Sequence, residues 1–257
     1  MGARRLELVV LGSGASAPAR DPRKVRNPAG YAVLAGRETL LFDLGFGNLR
    51  QMARGGLDPA SVTDVFISHR HPDHVGDLAA LLFYYRYERR PRSGRLRVFG
   101  PPGFASFLKS WRRSFSPWLD PRGYRLQVRE LAEGGGVRGS GWTVGAYRSL
   151  HNTESLAYRL EAGNKSLVYS GDTGYDTGLA AFARGCDLFL LECSLGRSER
   201  YAWHLNASQA LDLIRLSGCR RALLTHLGQA ALADVRGMLR ASAVPAEPAC
   251  DLLRVKF

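Results

Sequence analysis

The sequence predicts an α/β protein in which packed sheets are flanked by helices. Three observations carry this. Short apolar runs rich in β-branched and aromatic residues recur along the 257-residue chain. Helical patterns fall between some of them. The early and middle runs come in hairpin-like pairs, so the strict strand–helix alternation of a doubly wound sheet is absent.

In chain order, residues 6–11 read as the first buried strand. Strands at 31–35 and 39–42 pair across Gly36-Arg37-Glu38. A helix over 47–54, a strand over 65–67 and a helix over 75–87 follow, then a strand at 96–99, a helix at 103–111 and a strand at 124–128. The glycine-rich stretch 133–141 reads as a hairpin loop before a strand at 142–147. Strands at 155–160 and 166–169 make a second pair across Glu161-Ala162-Gly163-Asn164-Lys165. The remainder alternates: helix 177–184, strand 188–191, helix 207–217, strand 222–225 and helix 231–239. No repeat and no Pro/Gly/Ser linker divides the chain, so residues 1–257 are expected to form a single domain.

Composition excludes some classes. Hydrophobic residues make up 45%, and no apolar stretch approaches the roughly 20 residues that span a bilayer. The run at 6–11 is too short for a signal-peptide core. The expectation is a cytoplasmic protein without membrane attachment. Cys186, Cys193, Cys219 and Cys250 lack CxxC spacing and sit in apolar segments, as buried free thiols do. The net charge of +13 attracts anionic partners such as nucleic acid or a phosphate ester. Arg outnumbers Lys 32 to 4, however, which a general coding bias also produces. The basic patch at 86–97 is a solvated surface or the rim of a site.

The strongest motif is His69-Arg70-His71-Pro72-Asp73-His74. It runs out of a strand and into a helix. His69 and His71, two apart in extended chain, project the same way. Pro72 bends the path, and Asp73 and His74 at the helix start can point back to the same space. Such a cluster of imidazoles and a carboxylate is costly without a cation. Its N and O donors suit zinc, with manganese or iron as substitutes. The remaining histidines, His151, His204 and His226, each stand at a strand end or helix start, where ligands can converge. Asp172, in Ser170-Gly171-Asp172-Thr173-Gly174 directly after an apolar strand, can bridge two cations. An ordinary Asp-Thr-Gly turn is the alternative for it alone.

This ordered set resembles the metallo-β-lactamase superfamily of hydrolases, over nearly the whole chain from Gly12 to His226. The resemblance implies a four-layer αβ/βα sandwich with a dinuclear metal site, two Zn2+ per chain (Mn2+ or Fe2+ as substitutes), at one edge of the sheets. It assigns His69, His71 and His151 to one metal and Asp73, His74 and His226 to the other, with Asp172 bridging. Finer matches are similar to the ribonuclease Z branch. Pro22-Arg23-Lys24-Val25-Arg26-Asn27 matches that branch's Pro-x-Lys-x-Arg-Asn loop. Leu41-Phe42-Asp43-Leu44-Gly45-Phe46-Gly47 resembles Phe-Asp-Cys-Gly-Glu-Gly, with Leu44 and Phe46 as departures. By that likeness Asp43 orients a ligand, and Lys24 and Arg26 contact a phosphate. The plain alternatives are a strand-end turn and a solvated basic loop.

His204 precedes Asn206 and Gln209, which read as an N-cap and its capping-box partner. In the resembling phosphodiesterases a histidine at that place helps protonate the leaving oxygen, and Glu192, at a strand end, either orients it or is simply a structural acceptor. The transfer-RNA processing members carry a long RNA-gripping arm, expected between His151 and Asp172. Here that interval is 21 positions (172 − 151) and holds only a hairpin. The implied activity is an armless, dinuclear zinc phosphodiesterase using a hydroxide shared by the metals. Asp73 and His204 are its catalytic residues, its substrate is a phosphodiester or RNA end, and a homodimer is common in the branch. Two alternatives remain: a hydrolase of lactones, thioesters or sulfate esters, and a non-catalytic, metal-stabilised RNA-binding protein.

Overall fold

The computed structural model describes residues 6–16, 25–88, 93–239 and 242–257. Lys24, Pro22 and Arg23, and the middle of the 86–97 patch, lie outside them. Two seven-stranded sheets form the centre. The first contains β1 (Leu6–Gly12), β2 (Gly30–Ala35), β3 (Glu38–Leu44), β4 (Val62–Phe66), β5 (Arg95–Gly100), β6 (Arg125–Glu130) and β14 (Arg254–Lys256), in the order β14-β1-β2-β3-β4-β5-β6. The second contains β7 (Gly136–Arg138), β8 (Thr143–Arg148), β9 (Leu156–Ala162), β10 (Lys165–Tyr169), β11 (Leu188–Glu192), β12 (Ala222–Thr225) and β13 (Ala246–Pro248), in the order β13-β12-β11-β10-β9-β8-β7. Each sheet begins antiparallel and ends parallel: β3, β4, β5 and β6 run parallel, as do β10, β11, β12 and β13.

Side-chain alternation explains the layers. In β1, Leu8 and Val10 join the core between the sheets, while Val9 and Leu11 face the helices. In β11, Leu188 and Leu190 point to the inter-sheet core, and Phe189 and Leu191 point outward to the other helical layer. Strands buried on both faces read as continuous apolar runs, which is why they stood out in the sequence. Helices α1 (Asn48–Arg54), α2 (Pro72–Tyr87) and α3 (Phe104–Ser114) accompany the first sheet, and α4 (Thr177–Phe182), α5 (Ala207–Ser217) and α6 (Gln229–Met238) the second. On α2, Val75, Leu78, Leu82 and Tyr85 recur at helical spacing and are buried. Each fully buried leucine there contributes about 2 kcal/mol of transfer free energy. The result is the expected αβ/βα four-layer sandwich.

Three expectations need correcting. The 133–141 stretch is not only a loop, because β7 within it pairs with β8 as the sheet's edge. Strands β13 and β14 were not anticipated. Cys186, Cys193 and Cys219 are buried free thiols, but Cys250 is exposed. Among the described residues no helix is long and apolar enough to cross a membrane.

Candidate metal centre

The candidate residues converge where strands end. The loop after β4 carries His69 and His71, and α2 starts at Pro72, so Asp73 and His74 occupy its first turn. Asp43 lies near the end of β3, Asp172 follows β10, Glu192 ends β11 and His226 follows β12. The carboxyl ends of parallel strands form the usual crevice of open α/β sheets. His151 arrives from the segment after β8, and His204 from the loop before α5. Gly171, with φ +58°, lets the chain turn there: a Cβ would lie 2.9 Å from the Leu156 carbonyl oxygen.

Two donor sets result, His69, His71, His151 and Asp172 in one and Asp73, His74 and His226 in the other. In the first, His71 Nδ1 is 3.3 Å from His151 Nε2, and Asp172 Oδ2 lies 3.8 Å from His69 Nε2 and 3.9 Å from His151 Nε2. In the second, His226 Nε2 is 3.4 Å from His74 Nε2 and 3.5 Å from Asp73 Oδ2. Asp172 closes this set too, Oδ1 at 3.3 Å from His74 Nε2 and Oδ2 at 3.6 Å from His226 Nε2. Zinc bonds of about 2.0–2.1 Å put tetrahedral ligands roughly 3.3–3.4 Å apart. The observed spacings fit such an ion in each set. The buried His69 Nε2 and Asp172 Oδ1 have no hydrogen-bond partner, as atoms reserved for a cation would not.

Burial alone would raise Asp172, but the imidazoles of His226 and His74 overcome it and hold the carboxyl well below its ordinary range. Burial, reinforced by the charge of His74, pushes His69 well down, which favours the neutral, ligating imidazole. Burial likewise lowers His151 despite Asp172.

Asp43 sets the orientation of two ligands. It is fully buried and sits at φ 55°, a left-handed conformation that costs about 1–3 kcal/mol outside glycine. Its Oδ2 accepts from His74 Nδ1 at 2.7 Å, the Ser68 hydroxyl at 2.7 Å and the Tyr169 phenol at 2.5 Å. Its Oδ1 accepts from the Ser68 backbone N–H at 2.7 Å. With its proton spent on Asp43, the Ser68 hydroxyl accepts from His69 Nδ1 at 2.9 Å. One carboxylate thus turns Nε2 of His74 directly, and of His69 through Ser68, toward the centre. His151 is held by the Trp203 carbonyl, 2.9 Å from its Nδ1. His226, like Asp43, adopts a positive φ, 53°.

His204 faces the same space. Its Nδ1 is 2.7 Å from Glu192 Oε1, and its ring stacks on His226 at 5.7 Å and on Tyr201 at 5.8 Å. Glu192 also accepts from the backbone N–H groups of Thr173 and Ser194 and from the Ser194 hydroxyl, so it is fixed. Burial would lower His204, but the hydrogen bond and charge of Glu192 raise it above its ordinary range. His204 also lies within reach of Asp172 and His226.

Arg26 does not join the cluster. Its Nη1 donates to the Ser13 hydroxyl at 2.6 Å and the Ala249 carbonyl at 2.5 Å. The guanidinium therefore anchors the N-terminal loop to the C-terminal segment, a structural use that the basic loop pattern did not reveal. Ser68, Tyr169 and Trp203 were missed as supporting groups. Only Ser68, adjacent to His69, left any trace in the sequence.

A family model described as the beta-lactamase superfamily domain matches residues 38–227. The chain belongs to that superfamily. It is similar to the uncharacterized protein Rv1339 of Mycobacterium tuberculosis, 33% identical over 227 residues, covering 86% of this chain and 81% of the relative. A relative named ribonuclease Z, from Methanosarcina acetivorans, is 26% identical over 291 residues, with 92% of each chain covered. That alignment is longer than the present chain, so the relative carries segments this chain lacks. The crystal structure of the metallo-beta-lactamase fold protein YhfI from Bacillus subtilis superposes with a TM-score of 0.83, 20% identity and coverage of 99% and 100%. The fold is the metallo-β-lactamase fold.

Proposed function

We propose that the chain is a dinuclear zinc-dependent phosphodiesterase of the ribonuclease Z type, without an RNA-gripping arm. The observation that carries the reading is the Glu192–His204 pair beside two donor sets that share Asp172. His69, His71 and His151 would hold one cation and Asp73, His74 and His226 the other, with Asp172 within reach of both sets. Cations held there supply Lewis acidity, polarising phosphoryl oxygens and lowering the pKa of water. Glu192 occupies Nδ1 of His204, which leaves its Nε2 for proton transfer.

The residues of the chain do the rest. Glu192 accepts a hydrogen bond from Nδ1–H of His204 and so aims Nε2 at the leaving oxygen, to which His204 delivers a proton. Asp73 accepts a hydrogen bond from the attacking water and orients it. The resemblance to ribonuclease Z supports phosphodiester over other ester substrates. Between His151 and Asp172 stands only the tight hairpin β9–β10, which supports short phosphodiesters or RNA ends over a gripped transfer RNA.

The test is leaving-group dependence. His204→Ala should slow a dinucleotide, whose leaving group is an alkoxide, by roughly 100-fold or more. The same variant should slow bis(4-nitrophenyl) phosphate, whose leaving group needs no proton, by less than about tenfold. Equal losses would remove His204 from the acid role.

A further inference from the structure

We propose that the cleft between α2 and α3 binds a flat aromatic group, a nucleobase with its sugar, that stays esterified to phosphorus while the leaving group departs toward His204. This rests on the phosphodiesterase reading and names its substrate class. The cleft encloses about 450 Å³, and Phe46, Val75, Phe107 and Trp111 supply its apolar walls. Phe107 and Trp111 pack with ring centroids 5.4 Å apart. Phe46 is 53% exposed and forms one wall of the cleft. It lies on Gly76, where a Cβ would fall 2.3 Å from the ring. Glycine in the second turn of α2 therefore makes room for this wall at the expense of helix propensity. Phe46 is also one of the two departures from the Phe-Asp-Cys-Gly-Glu-Gly pattern, an aromatic ring where an acid is expected.

The cleft lies beside the loop that carries the donors. Arg70 and Pro72 line it, and they alternate in sequence with the donors His69, His71 and Asp73. Arg70 is fixed by Glu154, which comes from the segment just after His151, through Nε at 3.1 Å and through Nη2. Its guanidinium lines the cleft from the backbone position between His69 and His71, a cationic group for the phosphate of a bound ester. His204 approaches from the other half of the molecule, before α5. The two ester groups are then sorted: the aromatic one on the α2–α3 side and the departing one on the His204 side. Stacking on such walls is sequence-tolerant and raises affinity for a base by about tenfold or more.

The experiment uses the zinc-loaded protein and two esters with one leaving group, thymidine 5′-(4-nitrophenyl phosphate) and methyl 4-nitrophenyl phosphate. The wild-type ratio of kcat/KM should favour the thymidine ester by about tenfold or more. Trp111→Ala removes a wall and Gly76→Ala fills its seat, the latter with a residue that favours helix. Both should cut the ratio about tenfold, whereas Phe83→Ala, on the same helix but outside the cleft, should leave it in place. A wild-type ratio near one, or a ratio untouched by Trp111→Ala and Gly76→Ala, overturns the proposal. If neither ester is hydrolysed, the phosphodiesterase reading falls alone, and calorimetric binding of thymidine 5′-monophosphate decides for the cleft. Weakening by about tenfold in Trp111→Ala upholds it, and unchanged binding or none in the wild type overturns it. Relative rates on a dinucleotide and a precursor transfer RNA then tell a free nucleotide ester from an RNA end.

Discussion

Asp43 is the residue on which the centre turns. Its four accepted hydrogen bonds fix His74 directly and His69 through Ser68, so one carboxylate serves both donor sets. Asp43→Asn keeps the shape but loses the charge that holds the His74 Nδ1 proton. We expect it to weaken zinc binding about 10- to 100-fold, read by competition with a chromophoric chelator, while the melting temperature of the zinc-free protein changes far less. Unchanged zinc affinity would make Asp43 a packing residue only. The donors themselves were legible in the sequence, because the His-x-His-x-Asp-His spacing within six residues has no cheap structural use. The groups that steady them were not. Tyr169 reaches Asp43 from 126 positions away, and Trp203 acts through its backbone carbonyl, which carries no residue signature. Arg26 of the basic loop has a structural use that the sequence did not show. Arg26 looked like a phosphate contact, but the Ser13 hydroxyl and the Ala249 carbonyl that occupy its Nη1 lie far away in sequence or belong to the backbone.

At the scale of elements, helix starts place the chemistry. Helix α2 begins with Pro72, which lacks the N–H that a helix's first turn cannot use, and this sets Asp73 and His74 on the turn facing the centre. Helix α5 begins with a full capping box: Asn206 accepts from the Gln209 N–H at 3.1 Å, and the Gln209 side chain accepts from the Asn206 N–H at 3.1 Å. His204 stands two residues before that cap. Asn206→Ala should lower the unfolding free energy by about 1 kcal/mol. Because the cap fixes the path entering the helix, it should also lower turnover of the dinucleotide more than of bis(4-nitrophenyl) phosphate. Loss of stability with equal loss on both substrates would separate the cap from His204. The long elements were read within a few residues of their ends, since burial on both faces or on one helical stripe leaves a strong period. The missed strands β7, β13 and β14 have three residues each, too few for any period to emerge.

The whole molecule is two similar halves whose sheets pack face to face, and the centre bridges them. Each donor set takes residues from both: His69 and His71 with His151 and Asp172, and Asp73 and His74 with Asp172 and His226. On the proposed reading, two bound cations would tie the halves together, in a chain whose net charge of +13 favours anionic esters. The four-layer arrangement was legible from the hairpin-paired strands and the resemblance, but that both sets draw on both halves emerges only in three dimensions. On the proposed reading two metals, held by these seven residues, serve phosphodiester hydrolysis. Titrating the metal-free protein with zinc while following hydrolysis of bis(4-nitrophenyl) phosphate tests this most directly. Turnover should climb with the second equivalent and level off at about two zinc ions per chain. Saturation at one equivalent, or two bound zinc ions with no hydrolysis, would contradict it.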